Sequence, residues 1–293
     1  MLNTLFYIVN HPLNRNQAIR SLLRYFRWQL VSRLTGDYVI IPYIEKTQLA
    51  VKNGMTGATG NIYTGLHDYV EMLFLMHYLR EEDLFIDIGA NVGAYSILAC
   101  GVSKASVMAI EPIPSTFGSL KMNVKINECE RKCTIHNIGL SDRETDLWFT
   151  LDRDTTNRVV DTECVKDENQ HTGKIKVTTL DKLLGKANPS MIKIDVEGHE
   201  LAVLEGAKNI LCNKNLDAIV IETLGEKQFI EDLFSILYKY DFSPFSYDPF
   251  NRSLAPLLGR NETSNNTIFV KNIQNVVERV KNAKRRKINH MLI

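Results

Sequence analysis

The stretch Leu84-Phe85-Ile86-Asp87-Ile88-Gly89-Ala90-Asn91-Val92-Gly93 decides the fold of this chain. It begins as an apolar run that ends in an acid, and it continues into a turn flanked by glycines. The next residues, Ala94 to Ala99, have the pattern of the first turns of a helix. Together these segments predict a buried strand, a tight turn and a helix start. Glycine lets a backbone approach a ligand closely and a helix start offers free N–H groups, so the stretch can cradle a cofactor.

The spacing of the turn indicates which cofactor it suits. A dinucleotide-binding turn needs G-x-G-x-x-G, with the pyrophosphate at the helix N-terminus. This turn is D-x-G-x-x-x-G, with Asn91 in place of a second glycine and with Asp87 where a pyrophosphate would be repelled. An acid there favours a cationic ligand such as S-adenosylmethionine, which carries an ammonium and a sulfonium. The alternative is a structural turn with chance glycines.

Length and composition favour one α/β domain with extensions, because 293 residues with 44% apolar content can bury a full core. The net charge of +1 argues against a dedicated nucleic-acid binder, so no nucleic-acid partner is expected. The five cysteines show no pairing pattern, which favours a reducing compartment, and we predict no metal site. The first nine residues are apolar but too short to span a bilayer, and no cleavage-site pattern follows them. We therefore expect a cytoplasmic protein.

A basic amphipathic helix is predicted from Gln17 to Leu34. Its apolar residues share one face, and they are Ile19, Leu22, Leu23, Phe26, Leu30 and Leu34. The arginines that occupy much of the remaining surface are Arg20, Arg24, Arg27 and Arg33. Such a helix either lies on the inner face of an anionic membrane or packs on its own domain with a solvated basic face. We favour the second interpretation and keep peripheral membrane contact as the alternative.

A glycine-dense loop from Asn53 to Asn61 precedes a helical pattern from Ile62 to Arg80. The loop lacks the Gly-Lys-Ser/Thr ending of a phosphate-binding loop. It is either a plain connection before a core helix or a lid over the site. If it is a lid, Tyr63 and His67 are the expected contacts with the substrate.

The second predicted strand, Ser106 to Ile110, ends in Glu111 and Pro112. A carboxylate at this strand end can accept two hydrogen bonds from a ribose diol. A third strand from Thr134 to Ile138 leads to a loop in which Asp142 can lie near an adenine edge. A nucleoside is therefore expected beside the glycine turn.

A later strand delivers acids to the same edge of the sheet. Met191 to Ile194 is apolar, Asp195 and Glu197 follow it, and Gly198 and His199 lead into a helix. Ligands of open parallel sheets bind outside the carboxyl ends of the strands. Asp195, Glu197 or His199 can then remove the proton of a hydroxyl acceptor. The alternatives are a salt-bridged strand end for the two acids and a solvent-facing helix start for His199.

The motifs carry a family resemblance. They are Phe85 to Gly93, Ile110-Glu111-Pro112, Thr179-Leu180-Asp181 and Ile192 to Glu200. In this order they resemble the FkbM family of S-adenosylmethionine-dependent methyltransferases, over about Asp83 to Glu222. The D-x-E-G segment is the most specific of them.

The resemblance implies a class I methyltransferase (Rossmann-like) fold, with a seven-stranded, mostly parallel sheet, an antiparallel last strand and helices on both faces. It implies O-methylation, often of sugar hydroxyls in glycans, glycolipids or natural products. The residues it implies for the cofactor are Asp87, Gly89, Ala90, Asn91, Gly93, Glu111, Pro112 and Asp195. The segment from Asp195 to His199 would face the transferred methyl group.

The chain divides into three predicted parts: an N-terminal extension over 1–80, the methyltransferase domain over 81–273 and a basic C-terminal helix or tail over 274–293. Phe242 to Tyr247 and Thr267 to Val270 suit the last antiparallel pair, with a polar loop between them. Tyr247 and Arg252 are candidate acceptor contacts, because aromatic faces and an arginine fork suit sugars.

The function predicted from the sequence is an S-adenosylmethionine-dependent O-methyltransferase that acts on a small-molecule or saccharide acceptor during glycan or glycolipid synthesis. One alternative is a noncatalytic S-adenosylmethionine-binding or scaffold protein of a glycan assembly complex. Another is a nucleotide-sugar or NAD enzyme.

Overall fold

A computed structural model describes residues 2–151, 157–160 and 171–293 of the chain. The helices are α1 (Leu2–Asn10), α2 (Ala18–Thr35), α3 (Thr56–Thr64), α4 (Tyr69–Tyr78), α5 (Ala94–Ile97), α6 (Pro114–Ile126), α7 (Leu180–Leu184), α8 (Glu200–Glu205), α9 (Lys208–Leu211), α10 (Lys227–Lys239) and α11 (Ile273–Lys281). Short 3₁₀ and π-helical turns occupy Pro12–Asn14 and Leu98–Val102. Within the described ranges, none of the helices combines the length and the apolar character needed to cross a lipid bilayer.

The strands follow the predicted alternation with helices. They are β1 (Val39–Pro42), β2 (Gln48–Val51), β3 (Leu84–Ile88), β4 (Ser106–Ile110), β5 (Cys133–His136), β6 (Gly139–Leu140), β7 (Thr145–Thr150), β8 (Val159–Val160), β9 (Thr172–Thr178), β10 (Met191–Ile194), β11 (Ala218–Glu222), β12 (Ser243–Asp248), β13 (Ser253–Pro256), β14 (Asn266–Val270), β15 (Lys287–Ile288) and β16 (Met291–Leu292). Residues 152–172 show no clear helical or strand periodicity in the sequence, and most of them lie outside the described residues.

The central sheet has the strand order β13-β12-β14-β11-β10-β3-β4-β5. The strands from β5 through β11 in this order are parallel, and β14 is antiparallel to both of its neighbours, β11 and β12. Seven of these strands match the expected sheet, and β13 is an additional edge strand inside the predicted loop. Asp248 accepts hydrogen bonds from the N–H groups of Phe250 and Asn251 (2.9 and 3.1 Å), which closes a tight turn and allows β13 to pair with β12.

The two faces of the sheet bury different side chains because successive residues of a strand point to opposite sides. On β3, Phe85 belongs to one apolar cluster and Ile86 to the other. The first cluster is completed by α4, α5, α6 and α11, and the second by α7 to α10. The sheet is therefore covered by helices on both faces, as predicted. A separate four-stranded sheet has the order β6-β9-β7-β8, in which β7 pairs antiparallel with both β8 and β9.

The N-terminal extension shares the core of the domain. Ile8, Leu13 and Leu49 are fully buried in the same apolar cluster as Phe85. Asn123 of α6 accepts from the Ala50 N–H (2.6 Å) and donates to the Val92 carbonyl (2.8 Å), which joins β2 to the glycine turn. The first 80 residues thus form part of the wall around the sheet.

The glycine-dense loop and the following long helix were predicted incorrectly. The helix α3 covers part of the predicted loop, and the chain turns at Gly65, whose φ is +90°. A second helix, α4, begins only at Tyr69. Because a positive φ ends the α conformation, the pattern from Ile62 to Arg80 is divided between two helices.

The helix α2 forms as predicted, but the opposite face packs on the domain. It buries Ser21, Tyr25, Trp28 and Ser32, while most of the predicted apolar face is exposed. Arg24 lies toward the protein and donates to the Asn14 side chain (2.6 Å) and the Tyr63 carbonyl (2.9 Å). These polar contacts and the two aromatic rings fix the orientation, which corrects the expectation of a packed apolar face.

The basic C-terminal segment is docked rather than free in solvent. Arg286 forms an ion pair with Glu45 (2.6 Å), and Ile288 and Ile293 are buried. Asn289 donates to the Thr64 carbonyl (2.8 Å). The hairpin β15–β16 therefore anchors the C-terminal segment on the N-terminal extension.

Candidate active site

A cavity of about 870 Å³ opens at the carboxyl ends of β3, β4, β10 and β11. This edge is where open α/β sheets bind ligands, and the volume lies in the range of small-molecule sites, roughly 300–1,000 Å³. The other walls come from the N-terminal extension, including α1 and the start of α4, and from Thr263 to Asn266.

The glycine turn after β3 is held by contacts within the protein. Gly89 has a φ of +74°, and a Cβ added there would lie 1.8 Å from the Asp195 carbonyl oxygen. Gly93 begins α5 with a φ of +88°, and its added Cβ would lie 2.6 Å from Leu120 Cδ1. Glycine is required here by backbone conformation and by the approach of β10. The requirement for glycine at these two positions thus arises from contacts within the protein, and their contact with a cofactor stays a prediction.

Asp87 presents a buried carboxylate to the cavity. Its Oδ2 accepts a hydrogen bond from Ser96 Oγ (2.6 Å). Its Oδ1 is buried and has no hydrogen-bond partner among the described residues. Burial raises the pKa of Asp87, and the ammonium of Lys193 opposes that rise. The unpartnered oxygen is available to a donor that enters the cavity.

Glu111 is also buried, but both of its oxygens are engaged. They accept from the N–H groups of Asn91 and Ile113, each at 2.9 Å. Burial raises the pKa of Glu111 to about 7, and the two backbone donors oppose that rise. Each carboxylate oxygen has a second lone pair, so the side chain can still accept from vicinal hydroxyls.

Three carboxylates meet at the ends of β10 and β11. Ligand atoms of Asp195, Glu197 and Glu222 all lie within 4.8 Å of one another. Asp195 forms an ion pair with the buried Lys193 (2.8 Å), whose ammonium also lies 4.8 Å from the centre of the Tyr95 ring. We call the three acids the carboxylate cluster. Such a cluster can share a proton or hold a divalent cation, and the expectation of no metal stays a prediction.

Burial and like charges raise the pKa values of two members of the carboxylate cluster. The pKa of Glu197 rises to about 7, through burial and then the nearby Asp195 and Glu200. The pKa of Glu222 rises to about 8, through burial and then Asp195 and Glu197. Glu197 has a φ of +52°, and Glu200 accepts from the N–H groups of Val196 and Gly198 (both 3.2 Å), which holds that turn.

His199 lines the cavity at the start of α8, and burial lowers its pKa. Its Nε2 lies 3.0 Å from Ser141 Oγ, which donates to Asp142 Oδ1 at 3.1 Å. The hydroxyl oxygen then accepts from Nε2–H, so Nδ1 is the nitrogen that can take a proton. Asp142 lies outside the cavity lining and acts on His199 through Ser141, instead of reaching an adenine edge as predicted.

The comparisons with known proteins identify the family of the chain. Residues 87–244 match the model of the methyltransferase FkbM domain. The chain belongs to this family. Its predicted class I methyltransferase fold is thereby confirmed, and family membership implies S-adenosylmethionine as the methyl donor.

Individual relatives match different shares of this chain. Hexuronic acid methyltransferase AglP of Haloferax volcanii is 30% identical over 174 residues, which are 58% of this chain and 68% of that protein. A tRNA (guanine(37)-N(1))-methyltransferase of Dictyostelium discoideum is 25% identical over 134 residues, 46% of this chain and 28% of that protein. The methyltransferase FkbM structure from Methylobacillus flagellatus KT is 16% identical with a TM-score of 0.47, and the match covers 72% of this chain. The chain spans about half, 52%, of that solved chain.

Of the four predicted acceptor contacts, His67 lines the cavity. Its Nδ1 lies 3.0 Å from the hydroxyl of Tyr7 on α1. The other three residues are outside the lining. Tyr63 packs edge-to-face on Tyr25, with ring centres 5.2 Å apart, and Tyr247 is buried. The guanidinium of Arg252 donates to the backbone carbonyls of Lys281 and Ala283.

Two further residues of the cavity lining, Glu222 and Glu71, were missed by the sequence prediction. Glu222 ends a buried strand at the edge of the sheet where the ligand was predicted, so its position in the sequence is the signal that could have identified it. Glu71 of α4 is buried, accepts from Ser264 Oγ (2.6 Å) and has its pKa raised to about 7 by burial and then by Asp68. Its role in the wall depends on a contact between residues 193 positions apart, which no local pattern reveals.

The lining of the cavity is strongly acidic. Its carboxylate residues are Asp68, Glu71, Asp87, Glu111, Asp195, Glu197 and Glu222. Among the residues that the structure describes, Lys193 is the only lysine or arginine in the lining. Its charge is already engaged by Asp195 and Asp87.

Proposed function

We propose that this FkbM domain transfers a methyl group from S-adenosylmethionine to a hydroxyl oxygen of a saccharide. The observation that carries the proposal is the carboxylate cluster beside the glycine turn, with a pKa near neutrality at Glu197. A general base works best when its pKa lies near the working pH. Bound S-adenosylmethionine supplies an electrophilic methyl group, and the protein must supply alignment and a proton acceptor.

The donor end of the proposed site is the turn after β3 together with Glu111. The unpartnered Oδ1 of Asp87 fits a donor with positive charge, such as the ammonium of the methionine moiety. The free lone pairs of Glu111 fit the ribose hydroxyls. Ala90, Asn91 and Pro112 also line this end of the cavity.

At the acceptor end, Glu197 or Glu222 accepts the proton of the attacking hydroxyl. Asp195 is engaged in an ion pair with Lys193, whereas burial and nearby carboxylates raise the pKa values of Glu197 and Glu222, so these two acids are the proposed proton acceptors. The extension covers the cavity with residues such as Tyr7 and His67, which excludes water from the reaction.

The charge of the lining favours a neutral acceptor group. A hexuronic acid, the acceptor named for the haloarchaeal relative, offers both hydroxyls and a carboxylate. Seven acids and one engaged lysine would repel a free carboxylate placed near the methyl group. We therefore propose a hydroxyl as the nucleophile. The expectation that nucleic acid is not the acceptor stays a prediction.

The test uses donor labelled in the methyl group with oligosaccharides that end in a neutral hexose or in a hexuronate. The product is then treated with mild alkali, which cleaves a methyl ester and leaves a methyl ether intact. We expect the incorporated label to be stable to alkali. We also expect oligosaccharides that end in a neutral hexose to be at least as reactive as those that end in a hexuronate. Alkali-labile label would contradict hydroxyl methylation.

The two alternative functions are separated by calorimetry with S-adenosylhomocysteine and NAD. We expect binding of S-adenosylhomocysteine alone, since Asp87 would repel a pyrophosphate. Asp195→Asn should retain that binding and lose methyl transfer. Equal transfer by both proteins would remove the carboxylate cluster from the mechanism, and NAD binding would favour the alternative of a nucleotide-sugar or NAD enzyme.

A further inference from the structure

The helix α2 exposes a continuous apolar stripe on the side that faces away from the protein. Ile19, Leu23, Phe26, Leu30 and Leu34 are 77%, 62%, 55%, 63% and 75% exposed. We call these five side chains the α2 stripe. Single exposed apolar residues are ordinary, but five on one helix face form a patch that indicates an interaction surface.

Arginines border the α2 stripe on both sides. At about 100° per residue, the five side chains fall within an arc of about 80°. Arg20 and Arg27 follow on one edge of this arc and Arg33 on the other, and all three are exposed. The first acid of the chain is Asp37, so residues 1–36 carry only positive side-chain charge. An apolar face flanked by long cationic side chains is the pattern of a helix that lies in a membrane interface.

The helix α1 adds exposed apolar side chains beside the cavity. It exposes Leu2, Phe6 and Val9 and packs against α2. Phe6 and the neighbouring Tyr7 also line the cavity. The exposed apolar surface of the extension thus reaches the cavity wall.

We propose that α1 and α2 form a docking surface for an anionic lipid bilayer, with the apolar side chains at the acyl boundary and the arginines among the headgroups. This surface brings the cavity wall to the membrane, where an acceptor attached to a lipid would meet the site. A second copy of the chain suits the face less well, because a two-fold contact would place one row of arginines against another without acids from either segment. The docking does not depend on the proposed methyl transfer.

Sedimentation of the full chain with lipid vesicles tests the docking. The vesicles contain phosphatidylcholine alone or with about 30% phosphatidylglycerol, a mixture that attracts basic segments. We expect binding to the anionic vesicles that is at least about tenfold tighter than binding to the neutral ones. Leu23→Ser with Leu30→Ser, and separately Arg20→Gln with Arg27→Gln, should each weaken it by about tenfold or more.

Matched surface variants control for general effects of composition. Leu224→Ser with Leu258→Ser and Lys208→Gln with Lys214→Gln alter exposed residues elsewhere and should leave vesicle binding unchanged. Circular dichroism and S-adenosylhomocysteine affinity check that the α2 variants are folded. Absence of binding to anionic vesicles overturns the proposal. So does a dimer in sedimentation velocity that the Leu23→Ser, Leu30→Ser variant converts to monomer, because the stripe would then be a contact between copies.

Discussion

Two glutamates that line the same cavity have pKa values raised to about 7, in both cases chiefly by burial, but their surroundings differ. Glu111 is buried and accepts from two backbone N–H groups, so its carboxylate is part of the framework of the donor turn. Glu197 is partly exposed, accepts no hydrogen bond from the described residues and owes part of its shift to Asp195 and Glu200. At the proposed donor end Glu111 is thus held by two backbone donors, whereas at the proposed acceptor end Glu197 has no hydrogen-bond donor among the described residues and can take up a proton.

The largest expected effect comes from Gly89→Ala. This variant tests whether backbone packing between Gly89 and Asp195 fixes the proposed donor turn relative to the carboxylate cluster. The added methyl would overlap the Asp195 carbonyl and strain a φ of +74°, so we expect a loss of about 4 kcal/mol or more in the free energy of unfolding. Urea denaturation measures it. Gly118→Ala on α6 is the control, since open space surrounds that position and alanine should stabilise the helix by about 0.5–1 kcal/mol. Equal stability of the two variants would contradict a backbone junction.

Glu197→Gln should show that the acceptor end serves the chemical step. We expect kcat to fall about 100-fold with little change in S-adenosylhomocysteine affinity. In the wild type, kcat/KM should rise with pH through about 7 to 8, because the base must be deprotonated and its pKa is raised. Glu205→Gln, at an exposed position, is the matched control. A flat pH profile between 6 and 9 would exclude these acids as the base.

Glu111→Gln should have the opposite signature. The amide cannot accept from both backbone donors and from ribose hydroxyls as the carboxylate does, so the Kd of S-adenosylhomocysteine should rise about tenfold. Calorimetry gives this Kd directly. If instead kcat falls and the Kd is unchanged, then the assignment of Glu111 to the donor end is wrong.

The smallest effect concerns stability at alkaline pH. The folded pKa of Glu222, about 8, lies above its ordinary value of 4.5, so the stability it contributes is present below 4.5 and is lost as pH rises through 8. Glu222→Gln removes that loss, and its Tm should exceed that of the wild type by about 2 °C at pH 9. Scanning calorimetry at pH 6 and 9 measures the difference. Equal pH dependence of the Tm in the two proteins would show that folding does not raise the pKa of Glu222.

The acids at the strand ends could be predicted from the sequence, whereas the turn that forms β13 could not. Strand ends of a parallel sheet meet at one edge, so Asp87, Glu111 and Asp195 could be placed together from their motifs alone. The turn between β12 and β13 depends on Asp248, a single side chain within an otherwise polar stretch.

Features that depend on tertiary contacts were missed. The packing face of α2 is decided by Arg24 and two aromatic rings, against the apolar periodicity. The pairing of Glu71 with Ser264 joins the extension to a loop near the other end of the chain. Periodicity finds an apolar face, but it cannot say whether the protein itself covers that face.

The contact between Gly89 and the Asp195 carbonyl has a consequence for how acceptors can change during evolution. Main-chain atoms set the spacing between β3, which leads into the proposed donor turn, and β10, which leads into the acids. Side chains of the extension and of Thr263 to Asn266 can therefore be exchanged to fit another sugar while the line of attack is preserved. Substitutions that change the choice of acceptor therefore need not change the alignment of the methyl group.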